Sequence, residues 1–270
     1  MTSVLQKPAV LATDLDGTFL PLEGNVQNAA DLPILEDELQ QAAMMLAYVT
    51  GRHFASVAAV MERLHLPHPE WIVCDVGSSI YQRTPTGYTL SREYSDHLAQ
   101  IVGDFSTGEL ARVLADVRAL RQQEAEKQSR FKLSYYVESG QLEGCLEIAG
   151  QRLEEHQAPY SVVASVDPFN GDGLVDFLPT DVSKAYALNW WAGLSGFARE
   201  EILFAGDSGN DSAALAAGYR AIIVANAAPE VVAAARQAHQ REGWENRLFT
   251  AAAPATSGVL AGVRHFLNRH

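Results

Sequence analysis

Apolar residues gather along this chain in short unbroken runs that close on glycine and polar residues. AVLATDL (9–15) runs into Gly17, MMLAYVTGR (44–52) contains Gly51, and EWIVCDVGS (70–78) reaches Gly77. EILFAGDSGND (201–211) repeats the pattern, and AIIVANA (221–227) is a fifth candidate. Stretches of helical character lie between them, from Phe54 to Leu66 and from Asp211 to Gly218. Strands apolar on both faces and separated by helices predict a parallel α/β sheet. Ligands in such sheets bind beyond the carboxyl ends of the strands. Asp14, Thr50, Gly77 and Asp207 all fall there.

The middle of the chain is patterned differently. Leu110, Val113, Leu114, Val117 and Leu120 recur at helical spacing, and a polar stretch, RQQEAEKQSRFK (121–132), follows. KLSYYVE (132–138) alternates apolar and polar like a half-exposed strand. LEIAGQRLEEH (146–156) predicts a second helix; YSVVASV (160–166) and GLVDFLP (173–179) predict two more strands. An antiparallel sheet with two helices on one face fits this order. The expected fold class is therefore α/β, a Rossmann-like parallel-sheet core (1–81 and 180–270) interrupted by an inserted α/β domain (82–179).

Composition narrows the partners. The 270 residues carry a net charge of −13, so no basic footprint exists for nucleic acid or an anionic membrane surface. A local pocket can still be positive, which leaves small anionic ligands open. The two cysteines, Cys74 and Cys145, lack metal-type spacing, which points to a reducing cytoplasm without a disulfide framework. The N-terminal MTSVLQKPAVLATD meets charge too early for a signal peptide, and no run approaches the ~18 apolar residues of a spanning helix.

The chemistry concentrates in two acidic pairs. Asp14 and Asp16 are two residues apart, so in extended backbone both side chains leave one face. Asp207 and Asp211 close GDSGND after another strand. Taken singly, each pair reads equally as a solvated turn with an aspartate capping a helix. Together at one sheet edge they repel unless a hard cation sits among them, and oxygen donors suit Mg²⁺. A carboxylate attacking phosphorus would form an aspartyl-phosphate. Each pair of like unit charges at 4 Å repels by ~4 kcal/mol at an effective dielectric of 20, so such an attack needs cations and donors around the phosphoryl oxygens. Lys184, Thr50 and the Gly51 N–H are the candidates. A response-regulator receiver groups similar residues, but here the second acidic motif follows the lysine, which is the wrong order.

DLDGT, VTGR, Lys184 and GDSGND, in that order, resemble the four motifs of the haloacid dehalogenase-like phosphatases. The insertion is similar to their C2-type cap. DVGSSIY (75–81), FKLSYYVE (131–138), GLVDFLPTDVSKAYAL (173–188), VANAAPE (224–230) and TSGVLAGVRHFL (256–267) resemble the sucrose-phosphate phosphatase branch. The resemblance implies that Asp14 is the nucleophile and Asp16 the general acid and base. Thr50, Gly51, Lys184 and Asn210 would hold the phosphoryl group. Mg²⁺ would be bound by Asp14, Asp207 and Asp211 with the main-chain carbonyl of Asp16.

Arg52, Ser78, Ser79 and Lys132 are candidate contacts to the sugar. Ser79 departs from that branch, which carries an acidic residue in segments such as VGSEIY, so mannosylfructose-phosphate phosphatase is a second expectation. A broader Cof-like sugar phosphatase shares the chemistry. A non-catalytic phosphosugar-binding module would have lost residues that are all present here. The expected ligand is a small sugar phosphate, with association to a glycosyltransferase that makes it. His65 and His68 read as loop residues, and Trp190 and Trp191 as packing for the helix after Lys184.

Overall fold

The computed structural model describes residues 7–166 and 171–267. The first six residues, where the sequence argues against a leader, and 167–170 of the insertion lie outside the described residues. In chain order the strands and helices are β1 (Val10–Thr13), α1 (Val26–Gln41), β2 (Met45–Val49), α2 (Phe54–Leu64), β3 (Trp71–Cys74), β4 (Ser79–Thr84), β5 (Gly87–Leu90), α3 (Arg92–Val102) and α4 (Thr107–Val113). They continue with β6 (Arg121–Gln122), β7 (Leu133–Val137), α5 (Leu142–Glu155), β8 (Tyr160–Val166), β9 (Gly173–Pro179), α6 (Lys184–Ser195) and β10 (Ile202–Gly206). The chain closes with α7 (Ser212–Leu215), β11 (Arg220–Ile223), α8 (Pro229–Glu242), β12 (Leu248–Thr250) and α9 (Ala255–Leu267).

The core sheet has the order β12-β11-β10-β1-β2-β3-β4-β5. Its first six strands are parallel, and β4 and β5 are antiparallel. Alternate residues feed two cores. Leu11, Tyr48, Ile72 and Leu203 pack with Leu35, Val57 and Val263 of α1, α2 and α9. Val10, Val49, Val73 and Phe204 join Leu188, Trp191, Leu215 and Ala235 of α6, α7 and α8. Burial on both faces explains why these strands read as unbroken apolar runs. The chain leaves β1 toward β2 on one side while β10 lies on the other, so β1 marks the reversal point of the sheet.

The second sheet, β6-β7-β9-β8, is antiparallel throughout. Leu133, Tyr135 and Val137 stand opposite Phe177, Val175 and Gly173 and share a core with Leu110 and Leu114, and with Cys145, Ala149 and Leu153 of α5. The opposite face carries Lys132, Ser134, Tyr136 and Asp176 by the two-residue alternation of a strand. β8 lies against the turn Gly209–Asp211, which sets this sheet over the carboxyl edge of the core.

Three sequence expectations change. The proposed boundary at residue 82 falls inside β4, and the β4–β5 hairpin is hydrogen-bonded to β3, so the core sheet runs to Leu90 before the insertion begins. That hairpin is partly exposed at the sheet end and lacks the continuous apolar run of the inner strands. The helix expected over 110–120 stops at Val113. Beyond it Val117 N–H donates to Leu114 O and Leu120 N–H to Val117 O, each at 3.0 Å, so the three-residue spacing there belongs to successive turns. The helix expected from Asp211 to Gly218 shortens to Ser212–Leu215. Trp191 is buried against Trp71 of β3, the packing of this helix on the sheet that the sequence predicts, whereas Trp190 packs on Tyr94 and His97 of α3 instead. Among the described residues no helix is long and apolar enough to cross a membrane.

Candidate active site at the carboxyl edge of the core sheet

Asp14 follows β1 in extended backbone, and its N–H donates to Ala205 O of β10 at 2.9 Å. This bond ties the first acidic motif to the strand that carries the last one. The chain then turns through Leu15–Phe19, with Gly17 at φ +75°. A β-carbon on Gly17 would lie 2.5 Å from Asp207 Oδ2, so glycine here serves both the turn and the approach of a carboxylate. Thr18 Oγ1 donates to Asp207 Oδ1 at 2.6 Å, and Asn226 Nδ2 donates to Gly17 O at 2.8 Å.

Lys184 is the first residue of α6, whose N-terminus is capped by Ser183 Oγ accepting from Tyr186 N–H. Its buried ammonium donates to Asp14 Oδ1 at 2.7 Å and to Asp211 Oδ1 at 2.8 Å. The other oxygen of Asp211 accepts from the N–H groups of Asp207 and Ser208 and from Ser208 Oγ. Ligand oxygens of Asp14, Asp207 and Asp211 all lie within 4.8 Å of one another.

Thr50, at the end of β2, is buried and accepts Arg52 N–H on its Oγ1. A β-carbon on Gly51 would be 3.8 Å from Asn210 Nδ2, which brings the second and fourth motifs together. Asn210 Oδ1 accepts from Ser208 Oγ, so its amide nitrogen is the end toward Gly51. The carboxylate of Asp16 stands apart from the other three. It is half exposed and held by Arg52, whose Nε and Nη2 each donate to it at 2.6 Å.

The remaining sequence candidates gather at the seam with the insertion. Lys132 Nζ pairs with Asp75 Oδ1 at 2.9 Å, and Ser79 Oγ donates to Asp75 Oδ2 at 3.0 Å. Ser78 Oγ donates to Asp75 O within the same loop. Sequence reasoning missed Asp75, Thr18 and Asn226. Asp75 follows a buried strand just as Asp14 and Asp207 do, and that shared pattern was the available signal.

Burial is the largest influence on Asp14 and holds its carboxyl well above the usual range; Lys184 opposes the shift and Asp211 adds to it. Asp207 is pushed up to about 6, by burial first and by the Asp211 charge as well, against the Thr18 hydrogen bond. Burial would lower the affinity of Lys184 for its proton, but Asp14 and Asp211 outweigh it and the net shift is upward. Three clustered carboxylates face one buried ammonium, so negative charge remains in excess. An all-oxygen donor set with that excess fits Mg²⁺.

The chain matches the profile of the sucrose-6F-phosphate phosphohydrolase family over residues 7–267. A mannosylfructose-phosphate phosphatase of Agrobacterium fabrum is 28% identical over 95% of this chain and 96% of its own. A glucosylglycerol-phosphate synthase of Pseudomonas anguilliseptica is 25% identical over 95% of this chain, which corresponds to 30% of that protein. Among solved structures, the sucrose-phosphatase of Synechocystis sp. PCC6803, in complex with sucrose and phosphate, superposes with a TM-score of 0.76. That pair is 25% identical over 97% of this chain and 98% of the other.

The charge excess makes stability depend on pH and metal together. Asp207 binds its proton more tightly in the folded chain, with a value of about 6 against the ordinary carboxylate value near 4. Its contribution is therefore fully present below about pH 4 and lost as pH rises through about 6. In EDTA the melting temperature should carry this falling component between about pH 4 and pH 6. Mg²⁺ at about 100 times its Kd should raise the melting temperature by roughly 5–10 °C at pH 7.5, and by clearly less at pH 5. Calorimetry showing equal Mg²⁺ shifts at both pH values would contradict a carboxylate metal site.

Proposed function

The chain belongs to the sucrose-6F-phosphate phosphohydrolase family and is a phosphatase of the haloacid dehalogenase-like type; from that premise we propose that it hydrolyses a phosphorylated disaccharide of the sucrose 6-phosphate type, with Mg²⁺, through an aspartyl-phosphate on Asp14. The observation that carries this reading is the buried Lys184 ammonium bridging Asp14 and Asp211 with Asp207 alongside. Lys184 orients the Asp14 carboxylate and offsets its charge as the phosphate approaches. The Asp14 oxygen forms a bond to phosphorus while the ester P–O bond breaks, and Asp16 supplies the proton that the departing sugar oxygen takes up. Asp16 then removes a proton from water, whose oxygen bonds to phosphorus and releases Asp14 and inorganic phosphate.

Thr50, Gly51 and Asn210 converge where the transferring oxygens would lie and act as donors to them. Arg52 holds Asp16 by two hydrogen bonds and so sets its direction. Mg²⁺ would supply positive charge against the phosphate and the carboxylates. Asp211 is buried and takes four donors, from Lys184 and the Asp207–Ser208 turn, whereas Asp207 takes two, the Thr18 hydroxyl at 2.6 Å and the Asn226 amide at 3.4 Å. We therefore assign the direct side-chain contacts to Asp14 and Asp207, with the main chain of Asp16, and give Asp211 the task of holding Asp207 and Lys184. The insertion acts as a cap that selects the alcohol, with Lys132 facing the core loop that carries Ser78 and Ser79.

Asp14→Asn should abolish turnover, and Asp16→Asn should reduce it about 10²–10⁴-fold, the usual worth of general acid–base catalysis. EDTA should suppress activity, Mg²⁺ should restore it, and Ca²⁺ should restore little, because its longer bonds and larger ligand number misplace Asp14. Phosphate release by Asp14→Asn at the wild-type rate would overturn the nucleophile assignment.

Substrate choice is read by kcat/KM over sucrose 6-phosphate, mannosylfructose 6-phosphate and glucose 6-phosphate. A site built to hydrogen-bond many hydroxyls rejects analogues that lack them. Either disaccharide phosphate should exceed glucose 6-phosphate by at least about tenfold. Equal efficiency on mono- and disaccharide phosphates favours the Cof-like reading instead.

The synthase similarity supports one more element of the reading, association with a glycosyltransferase that produces the substrate. Comigration of the two proteins in size-exclusion chromatography is the expected result, and elution as independent species counts against it.

A further inference from the structure

Asp75 lies outside the four motifs, yet its surroundings connect the second and third of them to the insertion. The loop after β3 runs through Asp75 at φ +54°, Val76 at φ +57° and Gly77 at φ +103°. Left-handed backbone is a genuine outlier for a β-branched residue such as Val76, and strain of this kind gathers at working sites. The surrounding contacts hold the loop in that shape. Asp75 N–H donates to Arg52 O at 2.9 Å and Val76 N–H to Thr50 O at 3.2 Å. A β-carbon on Gly77 would lie 2.2 Å from Ser183 O, so the loop also presses on the start of α6. Tyr94 of α3 closes it from the other side, its hydroxyl donating to Gly77 O at 2.6 Å.

On this loop the Asp75 carboxylate is 4% exposed and meets Lys132, also 4% exposed. Lys132 precedes β7 in the insertion, and among the described ion pairs this one alone joins the insertion to the core. A buried ion pair holds two surfaces together no better than well-packed apolar residues do, because desolvating the charges offsets their attraction. Its distinct property is directional. It fixes an ammonium at one place, and here that place is measured from the backbone of Thr50 and Arg52. Asp176, hydrogen-bonded to Ser134 on the same face of the second sheet, adds a second carboxylate whose charge interacts with Lys132. The seam thus offers ammonium, carboxylate and hydroxyl groups at set positions, the complement of an uncharged polyol.

We infer that Asp75 is a specificity-determining positioning residue: it holds Lys132 of the cap in register with the phosphate cradle, so that the sugar hydroxyls beyond the phosphate meet correctly placed groups. This rests on the phosphatase reading above and extends it to a residue outside the family's four motifs. Asp75 acts through Lys132, so removing either partner should forfeit the same discrimination.

The test measures kcat and KM for wild type, Asp75→Asn, Lys132→Ala and the double variant. Each is assayed on the preferred disaccharide phosphate and on p-nitrophenyl phosphate, with circular dichroism to check folding. Asp75→Ser replaces Asp75→Asn if the amide variant is not folded. For Asp75→Asn, the loss in kcat/KM on the disaccharide phosphate should exceed the loss on the aryl phosphate by at least about tenfold, mainly through KM. The double variant should be no worse than the poorer single variant within about threefold, the mark of two residues acting as one unit. Equal losses on both substrates, or single-variant losses that multiply in the double variant, would overturn the role of Asp75. If wild type itself shows no preference for a disaccharide phosphate over the aryl phosphate, the substrate reading falls and this inference falls with it. A preference that survives in Asp75→Asn removes this inference alone.

Discussion

A single ammonium, buried among carboxylates, is the constraint around which this molecule is arranged. Lys184 touches both Asp14 and Asp211, and none of the three is more than 4% exposed. Charges this deep are tolerated only when paired and hydrogen-bonded. That requirement explains much nearby detail: the three donors on Asp211, the Thr18 hydroxyl on Asp207, and the serine cap that starts α6 at Lys184 itself. One lysine does not neutralise three carboxylates, and an acidic cluster with that excess could hold a divalent cation.

The parallel sheet is what makes such a cluster possible. β1, β2, β3 and β10 all end at one edge, so four loops distant in sequence open side by side. Their apolar flanks seat them rigidly between two helical layers. Glycines then let polar groups approach closer than any side chain would allow, Gly17 for Asp207 and Gly206 for the Cβ of Asp211, which a β-carbon there would meet at 2.7 Å. The clustered acidic groups at the sheet edge and the inserted sheet above them thus belong to separate bodies. The loop of Asp75 to Gly77 is one place where the two bodies meet, and the turn Gly209–Asp211 beneath β8 is another.

Much of this is legible in the amino-acid sequence. The inner strands announced themselves because burial on both faces demands uninterrupted apolar runs, and Asp14, Thr50 and Asp207 stood at the ends of those runs. The change of pattern after the second motif was readable as a second, antiparallel sheet inserted into the parallel core. The β4–β5 hairpin was not, because a strand pair at the end of a sheet is partly exposed and loses the apolar signature. Leu114, Val117 and Leu120 imitated a helix because successive turns share its three-residue step.

The sequence by itself determined the fold class, the sheet edge where the motif residues gather, and the residue types gathered there, since these follow from local periodicity and from the repulsion of like charges. Only the tertiary structure decided how those groups pair. It turned Asp16 out to Arg52, placed Lys184 between Asp14 and Asp211, and engaged both oxygens of Asp211 with four donors. It also joined Lys132 to Asp75 across the seam. Such pairings depend on where two separately folded layers come to rest, and burial then makes the energy of each contact sensitive to fractions of an ångström. No spacing along the chain encodes that distance.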